Sequence, residues 1–454
     1  MISDLPRALT AQPANTEVML FQMIEIDVFS LDRRQEVLLQ PFQSLFTRAG
    51  FRYFRVFVFV FAHLDGRLWV TKVILSNLLG RHFTNFYRFL ESKTWKTQEV
   101  AQKLWTLCQP CVLDPNRRLF VAIDDTVAQK TGRHFDALGT HHDPMNKQHP
   151  KQLSRGHCFV CLAALAQQGY GHFVALFLSC ALYVQQKACK EGRTFATKLV
   201  LAADLVKNLP VPSGTQVFAV CDGAYAKKNF VAPVTKSGRQ VISRLRSDTP
   251  FYDLPPARKK LQNGKYAPGR PKEYGKKYKA QTWAASMGTW REVTLPLYGR
   301  PVTLQVKTRV VLQRTLGVKM RLVAVKWEEG PAVFFFSTDP TLTAEAIVEA
   351  VGSRFAIETG FRDAKQSFGF STYQVRRETR FVRLVHLCLW AQTLLRLSCW
   401  HAKPEPIYGA WRKALDYLTL SQQKQVSRSH CGVSAGSAES LRTPRNVAGQ
   451  RAAA

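Results

Sequence analysis

Apolar residues recur along this chain at two different spacings, and the change from one to the other divides it. Between Leu78 and Leu90, Phe83, Phe86, Tyr87 and Leu90 return every three or four residues while Arg81, Asn85 and Arg88 fall on other faces. That spacing predicts an amphipathic helix. Two roles suit it equally: a DNA-contacting or dimerisation helix, or a packing helix with solvated arginines. From Leu119 the pattern turns to short apolar runs: Leu119 to Ile123, His157 to Ala166, Phe173 to Val184, Gln216 to Cys221 and Gln240 to Leu245. These read as strands, and helical spacing from Thr194 to Leu209 separates the third from the fourth. Strands, a helix and further strands predict a mixed α/β sheet whose first three strands could form a meander.

The rhythm breaks after residue 246. A basic stretch begins at Pro255-Pro256-Ala257-Arg258-Lys259-Lys260, few apolar residues occur from Gly264 to Lys279, and β-type alternation then runs from Glu292 to Val325. This reads as a basic loop followed by a β-rich insertion. The core resumes at Phe334 to Asp339. Thr343 is a suitable N-cap for the helix that carries Glu358, and Glu345 in its first turn suits the helix dipole. A second apolar helix covers Arg380 to Trp400. After about Ser421 the residues are polar and small, which predicts a disordered tail. The expected organisation is a helical region at 1–115, a core at 116–246, the insertion at 247–336, the rest of the core at 337–400 and an extension at 401–454.

Charge narrows the partner. The 454 residues are 46% apolar and carry 64 Lys+Arg against 32 Asp+Glu, a net +32. Basic residues are spread from Arg7 to Arg451, so a polyanion is expected, nucleic acid first. Ten cysteines sit in apolar contexts and read as buried thiols of a reducing compartment. Cys158 and Cys161 lie three apart in a predicted strand, where they face opposite sides, which argues against zinc. Residues Met1 to Arg7 give no signal-peptide pattern, and the run Val56 to Phe61 is too short to span a bilayer. There is no Gly-x4-Gly-Lys-Ser/Thr loop, so ATP use is not expected.

The candidate chemistry lies in isolated acids. Ile123-Asp124-Asp125-Thr126 and Cys221-Asp222-Gly223 each follow a strand-like run. On the Glu358 helix, at about 100° per residue, Arg354, Glu358, Phe361 and Lys365 share an arc of about 60°. Phosphodiester hydrolysis and transfer need an activated water or hydroxyl in line with the leaving oxygen, and hard divalent cations on carboxylates can serve both. Strand alternation from Leu119, Val121 and Ile123 would place Asp125 with the apolar face, yet cannot say which face meets a metal.

Taken as a triple, these motifs resemble bacterial insertion-sequence transposases with an RNase H-like DDE core, in the group whose last acid lies in a Tyr-x2-Arg-x3-Glu-x6-Lys signature. Arg354, Glu358 and Lys365 keep those spacings, while Val351 replaces the tyrosine. The resemblance covers roughly residues 75–400. It implies an RNase H-like mixed sheet interrupted by a β-rich insertion, with an N-terminal helical domain. It further implies that Asp124, Asp222 and Glu358 hold two Mg²⁺ ions, with Mn²⁺ able to substitute and Asp125 the alternate to Asp124. The Asp-x-Thr pattern common in such cores selects Asp124.

Arg354 and Lys365 would hold phosphates in the catalytic site. The implied partners are double-stranded DNA, as transposon ends and target, and a second copy of the chain, in a bacterial cytoplasm at the nucleoid. Further DNA contacts are expected from Arg244, Arg246 and Arg362, and from the loop Pro268-Gly269-Arg270-Pro271-Lys272 with Lys276 and Lys277. That loop is similar to minor-groove AT-hook peptides, although phosphate contacts alone would also explain it. Trp283 or Trp290 could stack on an unpaired base, with core packing the better reading for each. The competing functions are a transposase-derived DNA-binding protein without catalysis and a structure-specific nuclease that cuts without joining.

Overall fold

Phenylalanine dominates the first helices and dictates how they pack. The computed structural model describes residues 33–64, 69–76, 78–132, 134–143, 146–258, 262, 266, 268–327, 330–402 and 417–430. Its leading helices are α1 (Arg33–Leu39), α2 (Arg48–His63), α3 (Val70–Leu75), α4 (Thr84–Glu91) and α5 (Thr97–Val112). The α2 helix starts at Thr47, whose Oγ1 accepts from the Gly50 N–H at 3.1 Å. Phe57 stacks on Phe89, and Phe89 on Trp95. The buried face of α4 is Phe86, Phe89 and Leu90, and Phe83 is exposed. The expected packing face is therefore shifted by part of a turn, because Phe83 precedes the helix.

Among the described residues, the sheet that follows holds twelve strands. They are β1 (Arg118–Gln129), β2 (Gly139–His142), β3 (Leu153–Gly169), β4 (His172–Tyr183), β5 (Gln216–Cys221), β6 (Gln240–Leu245), β7 (Pro250–Tyr252), β8 (Lys277–Lys279), β9 (Arg291–Leu297), β10 (Arg300–Gln313), β11 (Val318–Lys326) and β12 (Val333–Ser337). β1 pairs antiparallel with β3 and parallel with β5, and β5 pairs parallel with β6. β4 returns along β3, completing the predicted meander. Helix α6 (Lys198–Lys207) leads from β4 into β5, and α7 (Lys228–Lys236) joins the parallel neighbours β5 and β6. β2, with two histidines and no apolar alternation, is a strand that the pattern does not announce.

The β-rich segment does not build a sheet of its own. β12 pairs antiparallel with both β6 and β11, and β10 then carries β9 and β7, so the segment extends the same sheet outward. Covering the outer edge of β6 satisfies backbone groups that would otherwise be left open. A short helix, α8 (Ala280–Ala285), buries Trp283 against Phe251. Trp283 is thus a core residue, in line with the packing reading.

Three helices close the core: α9 (Ala344–Ser353), α10 (Phe355–Ser367) and α11 (Glu378–Ser398). Thr343 caps α9 as expected, its Oγ1 accepting from the Ala346 N–H at 3.2 Å. The single helix expected from Thr343 through Glu358 is in fact two, meeting at Arg354. α11 is buried almost all round, with Trp390 Nε1 donating to the Leu178 carbonyl at 2.9 Å, which ties it to β4. Among the described residues no helix is long and apolar enough to cross a membrane.

The tail departs from expectation where it is described. Leu420–His430 forms a helix, α12, rather than a disordered segment, and Gln423, Lys424 and Ser427 are buried in it. Lys424 Nζ donates to the carbonyls of Leu64 and Ser367 at 3.3 and 3.1 Å. Polar side chains are buried here because backbone acceptors satisfy them, which composition cannot register. Residues 431–454 lie outside the described residues.

Candidate active site

Adjacent parallel strands bring the first two acids together. Ile123 of β1 lies across from Cys221 of β5, and Cys221 across from Ser243 of β6. Asp124, Asp222 and Arg244 each follow one residue later, so the three stand side by side along one rim. β5 stops there, whereas β1 continues to Gln129 against β3. Asp124 is therefore not at the end of its own strand, as the apolar run suggested, but at the point where its parallel neighbour ends. Such carboxyl-end openings are where α/β sheets bind ligands.

The two neighbouring aspartates serve different faces. Asp125 accepts from Tyr225 Oη at 2.8 Å, Lys198 Nζ at 2.5 Å and Cys158 Sγ at 3.3 Å. It is enclosed by protein donors on the α6 side. Asp124 points the other way, toward α10, where Arg354 Nη1 donates to its Oδ2 at 3.2 Å. The same guanidinium donates through Nη2 to Glu358 Oε1 at 2.5 Å, an (i, i+4) pair across the α9–α10 junction. Arg354 thus bridges a sheet carboxylate and a helix carboxylate. Its side chain is 19% exposed, against 43% for Glu358.

Charge follows from this geometry. Burial pulls the Arg354 guanidinium down, but Asp124, Glu358 and Asp222 together outweigh it and raise it. Asp222 therefore acts on the same guanidinium through charge, without a hydrogen bond to it. Burial pushes the Asp124 carboxyl up to about 7; Arg354 and the Asp125 N–H, which donates to Asp124 Oδ1 at 2.8 Å, oppose the rise, and the charges of Asp125 and Glu358 add to it.

α10 is fixed from behind. Gly360 presses its bare Cα against the Phe177 ring, where a Cβ would stand 2.7 Å away, and Phe361 stacks on Phe177. Phe361 of the predicted stripe is therefore a packing residue. Lys365 lies two turns beyond Glu358 on the same helix; burial pulls its ammonium down and Asp143 is the main opposing charge. Among the described residues it makes no ion pair.

The remaining cations are at the surface. Arg244 is exposed beside Asp222, and Arg246 is exposed and paired with Asp248 at 3.2 Å. Arg270 pairs with Glu273, and Lys272, Lys276 and Lys277 are exposed. Arg362 is exposed, 3.8 Å from Asp363. Lys326 stands over the half-buried Trp290 ring at 4.6 Å. A cleft of about 790 Å³ between α2 and α4 gathers Arg52, Arg55, Arg81 and Arg88. Periodicity placed Arg81 and Arg88 off the packing face, but the convergence of Arg52 and Arg55 with them is a tertiary event without a local signal.

The donor set suits a hard divalent cation: three carboxylates, one of them buried with its proton held to about 7, around a single guanidinium. Among the described residues no three acidic, histidine or cysteine side chains already converge on one point. Arg354, bonded to both Asp124 and Glu358, occupies the middle of the arrangement.

Fold and site define a class: a mixed α/β protein in which Asp124 and Asp222 follow paired positions of adjacent parallel strands and Arg354 ties Asp124 to Glu358 of a packed helix. The family profile described as DDE superfamily endonuclease matches residues 70–302, more than half of the chain, and the protein belongs to that family. The match includes Asp124 and Asp222 and stops short of Glu358. No curated protein sequence matches the chain. Among solved structures, a cryo-EM structure of the piggyBac transposase synaptic complex with hairpin DNA is similar at a TM-score of 0.38 and 11% identity, over 95% of this chain and 82% of that one. Similarity at that level establishes no residue correspondence.

Proposed function

We propose that the protein is a DDE transposase that binds transposon ends as a homodimer and carries out Mg²⁺-dependent strand cleavage and strand transfer on double-stranded DNA in a bacterial cytoplasm. One observation carries the reading: Arg354 joins Asp124 of the sheet to Glu358 of the packed helix, with Asp222 acting on the same guanidinium. The strand order β4-β3-β1-β5-β6, antiparallel on one side of β1 and parallel on the other, is the arrangement expected of an RNase H-like core. Asp124, Asp222 and Glu358 would hold the metal, which supplies activation of water for nicking and then of the freed 3′-hydroxyl for joining. Asp125, saturated by Tyr225 and Lys198, acts as a structural anchor. With those carboxylates holding a metal, Arg354 would be free to turn from Asp124 to a phosphate oxygen. Lys365 and Arg244 extend the cationic track along the rim.

A labelled end duplex incubated with supercoiled plasmid tests the reading. Covalent joining in Mg²⁺, abolished by chelation, is the expected result; cutting without joining would reduce the protein to a nuclease, and binding alone to a DNA-binding descendant.

Proton occupancy of Asp124 sets a pH dependence. Its ionised fraction grows as pH rises through about 7. Metal must displace that proton, so cleavage is expected to rise roughly tenfold per pH unit below this value and level off above it. The sign for stability is the reverse. Between its ordinary value of 3.8 and about 7 the folded state holds a proton that the unfolded chain has released, so this carboxyl's contribution falls as pH rises through that window. A cleavage rate flat from pH 6 to 8 would remove Asp124 from the rate-determining site.

DNA affinity should fall steeply with salt, because each neutralised phosphate releases counterions. Replacing Arg52 and Arg88 together by Ala should weaken binding similarly on all sequences and lower the slope of log K against log salt by about 2. An unchanged slope would place the cleft off the DNA path.

A further inference from the structure

The turn between β9 and β10 holds a residue that its backbone does not favour. Leu297 pairs with Arg300, leaving Tyr298 at φ +55 and Gly299 at φ +77 as a two-residue turn with both angles positive. In this turn type the first position favours Asn, Asp or Gly, and a tyrosine there crowds its own Cβ. Strain of this kind persists only where the surroundings fix it, and it is concentrated at functional sites.

The surroundings do fix this hairpin. The Gly299 N–H donates to the Gly171 carbonyl at 3.2 Å, and a Cβ on Gly171 would stand 2.6 Å from the Pro296 backbone. Leu297 is buried, with its Cδ2 only 2.9 Å from where a Gly352 Cβ would be. Arg291 at the start of β9 pairs with Glu345 of α9. The tip is thereby clamped between the β3–β4 turn and the end of α9, two residues before Arg354. Tyr298 itself remains 58% exposed. Arg354 and Glu358 are the two charges that act on its hydroxyl: partial burial pushes it up, Arg354 pulls it down and Glu358 pushes it up.

We propose that Tyr298, delivered by the β9–β10 hairpin, is a substrate-contacting residue whose hydroxyl donates to a backbone phosphate beside the bond that is cut. It is a neutral donor on a hairpin held against the end of α9, and it would add a hydrogen bond to the phosphate that the Arg354 guanidinium meets as a charge. This deepens the transposase reading and rests on it. The tyrosine is kept against the turn's preference because its side chain, not its backbone, is what the position serves.

Wild type, Tyr298→Phe, Tyr298→Asn and Glu358→Gln are compared on a labelled duplex from the ends of the protein's own DNA element, in Mg²⁺, with binding and thermal midpoint measured on the same preparations. Tyr298→Phe should keep its midpoint and its affinity within about twofold, yet cleave saturating DNA on the order of ten- to a hundredfold more slowly. Tyr298→Asn, relieved of the turn strain, should melt higher than wild type and cleave as slowly as the Phe variant. A Phe variant that cleaves at the wild-type rate overturns the proposal. So does an Asn variant that is both more stable and fully active, since that would leave the tyrosine only a turn role. Wild type that cleaves no better than Glu358→Gln overturns the nuclease reading itself, and this inference falls with it.

Discussion

Glu358→Gln should bind DNA ends as tightly as wild type, within about twofold, and lose at least about 10³ in cleavage rate, or roughly 4 kcal/mol of barrier. The two halves of that result have separate causes. The Glu358 side chain is 43% exposed and its carboxylate already has Arg354 as a partner. An amide of the same shape can still accept from that guanidinium, so folding and the cationic DNA surface are preserved. What the amide cannot do is contribute a negative oxygen to a divalent cation, and hard cations bind by charge. Cleavage and binding measured on one preparation separate the effects. Equal cleavage by both proteins would take Glu358 out of the site; loss of binding together with cleavage would show that the change had disturbed the fold.

Arg396→Met should cost about 3 kcal/mol or more of stability. Arg396 lies in the last turn of α11, its side chain only 6% exposed, and its Nη2 donates to Asp363 Oδ2 of α10 at 3.0 Å. Burial pulls the guanidinium down and pushes the Asp363 carboxyl up, so each charge depends on the other. Removing one partner of such a pair leaves a carboxylate that is poorly solvated, a far larger loss than that of a surface ion pair. Because Asp363 is five residues beyond Glu358 on the same helix, the damage should also reach Glu358. Replacing both partners, as Arg396→Met with Asp363→Leu, should recover most of the loss. Denaturant midpoints of wild type and the two variants provide the check, and an Arg396→Met midpoint equal to wild type would show that the pair is not sealed from solvent.

The charge excess, the period-two runs and the order of strands and helices were legible in the chain itself. They depend on local chemistry: a buried strand must be apolar, a helix must repeat every three to four residues, and Thr343 caps because its hydroxyl reaches an N–H three residues on. The acids Asp124, Asp222 and Glu358 and the Arg354–Glu358 spacing were visible for the same reason. Tertiary structure decided the rest. Alternation could not choose between Asp124 and Asp125, because only the packing of α6 on one face and α10 on the other determines which carboxylate is enclosed by donors and which meets Arg354. The β-rich segment could not be seen to extend the main sheet, since β12 finds β6 across about ninety residues of chain. The α12 helix was hidden because its buried polar groups are satisfied by distant carbonyls. Tyr298 left no trace in the sequence: its hairpin is brought to the end of α9 by Leu297 against Gly352 and by Gly299 bonded to Gly171, and contacts between segments far apart in sequence have no local pattern to betray them.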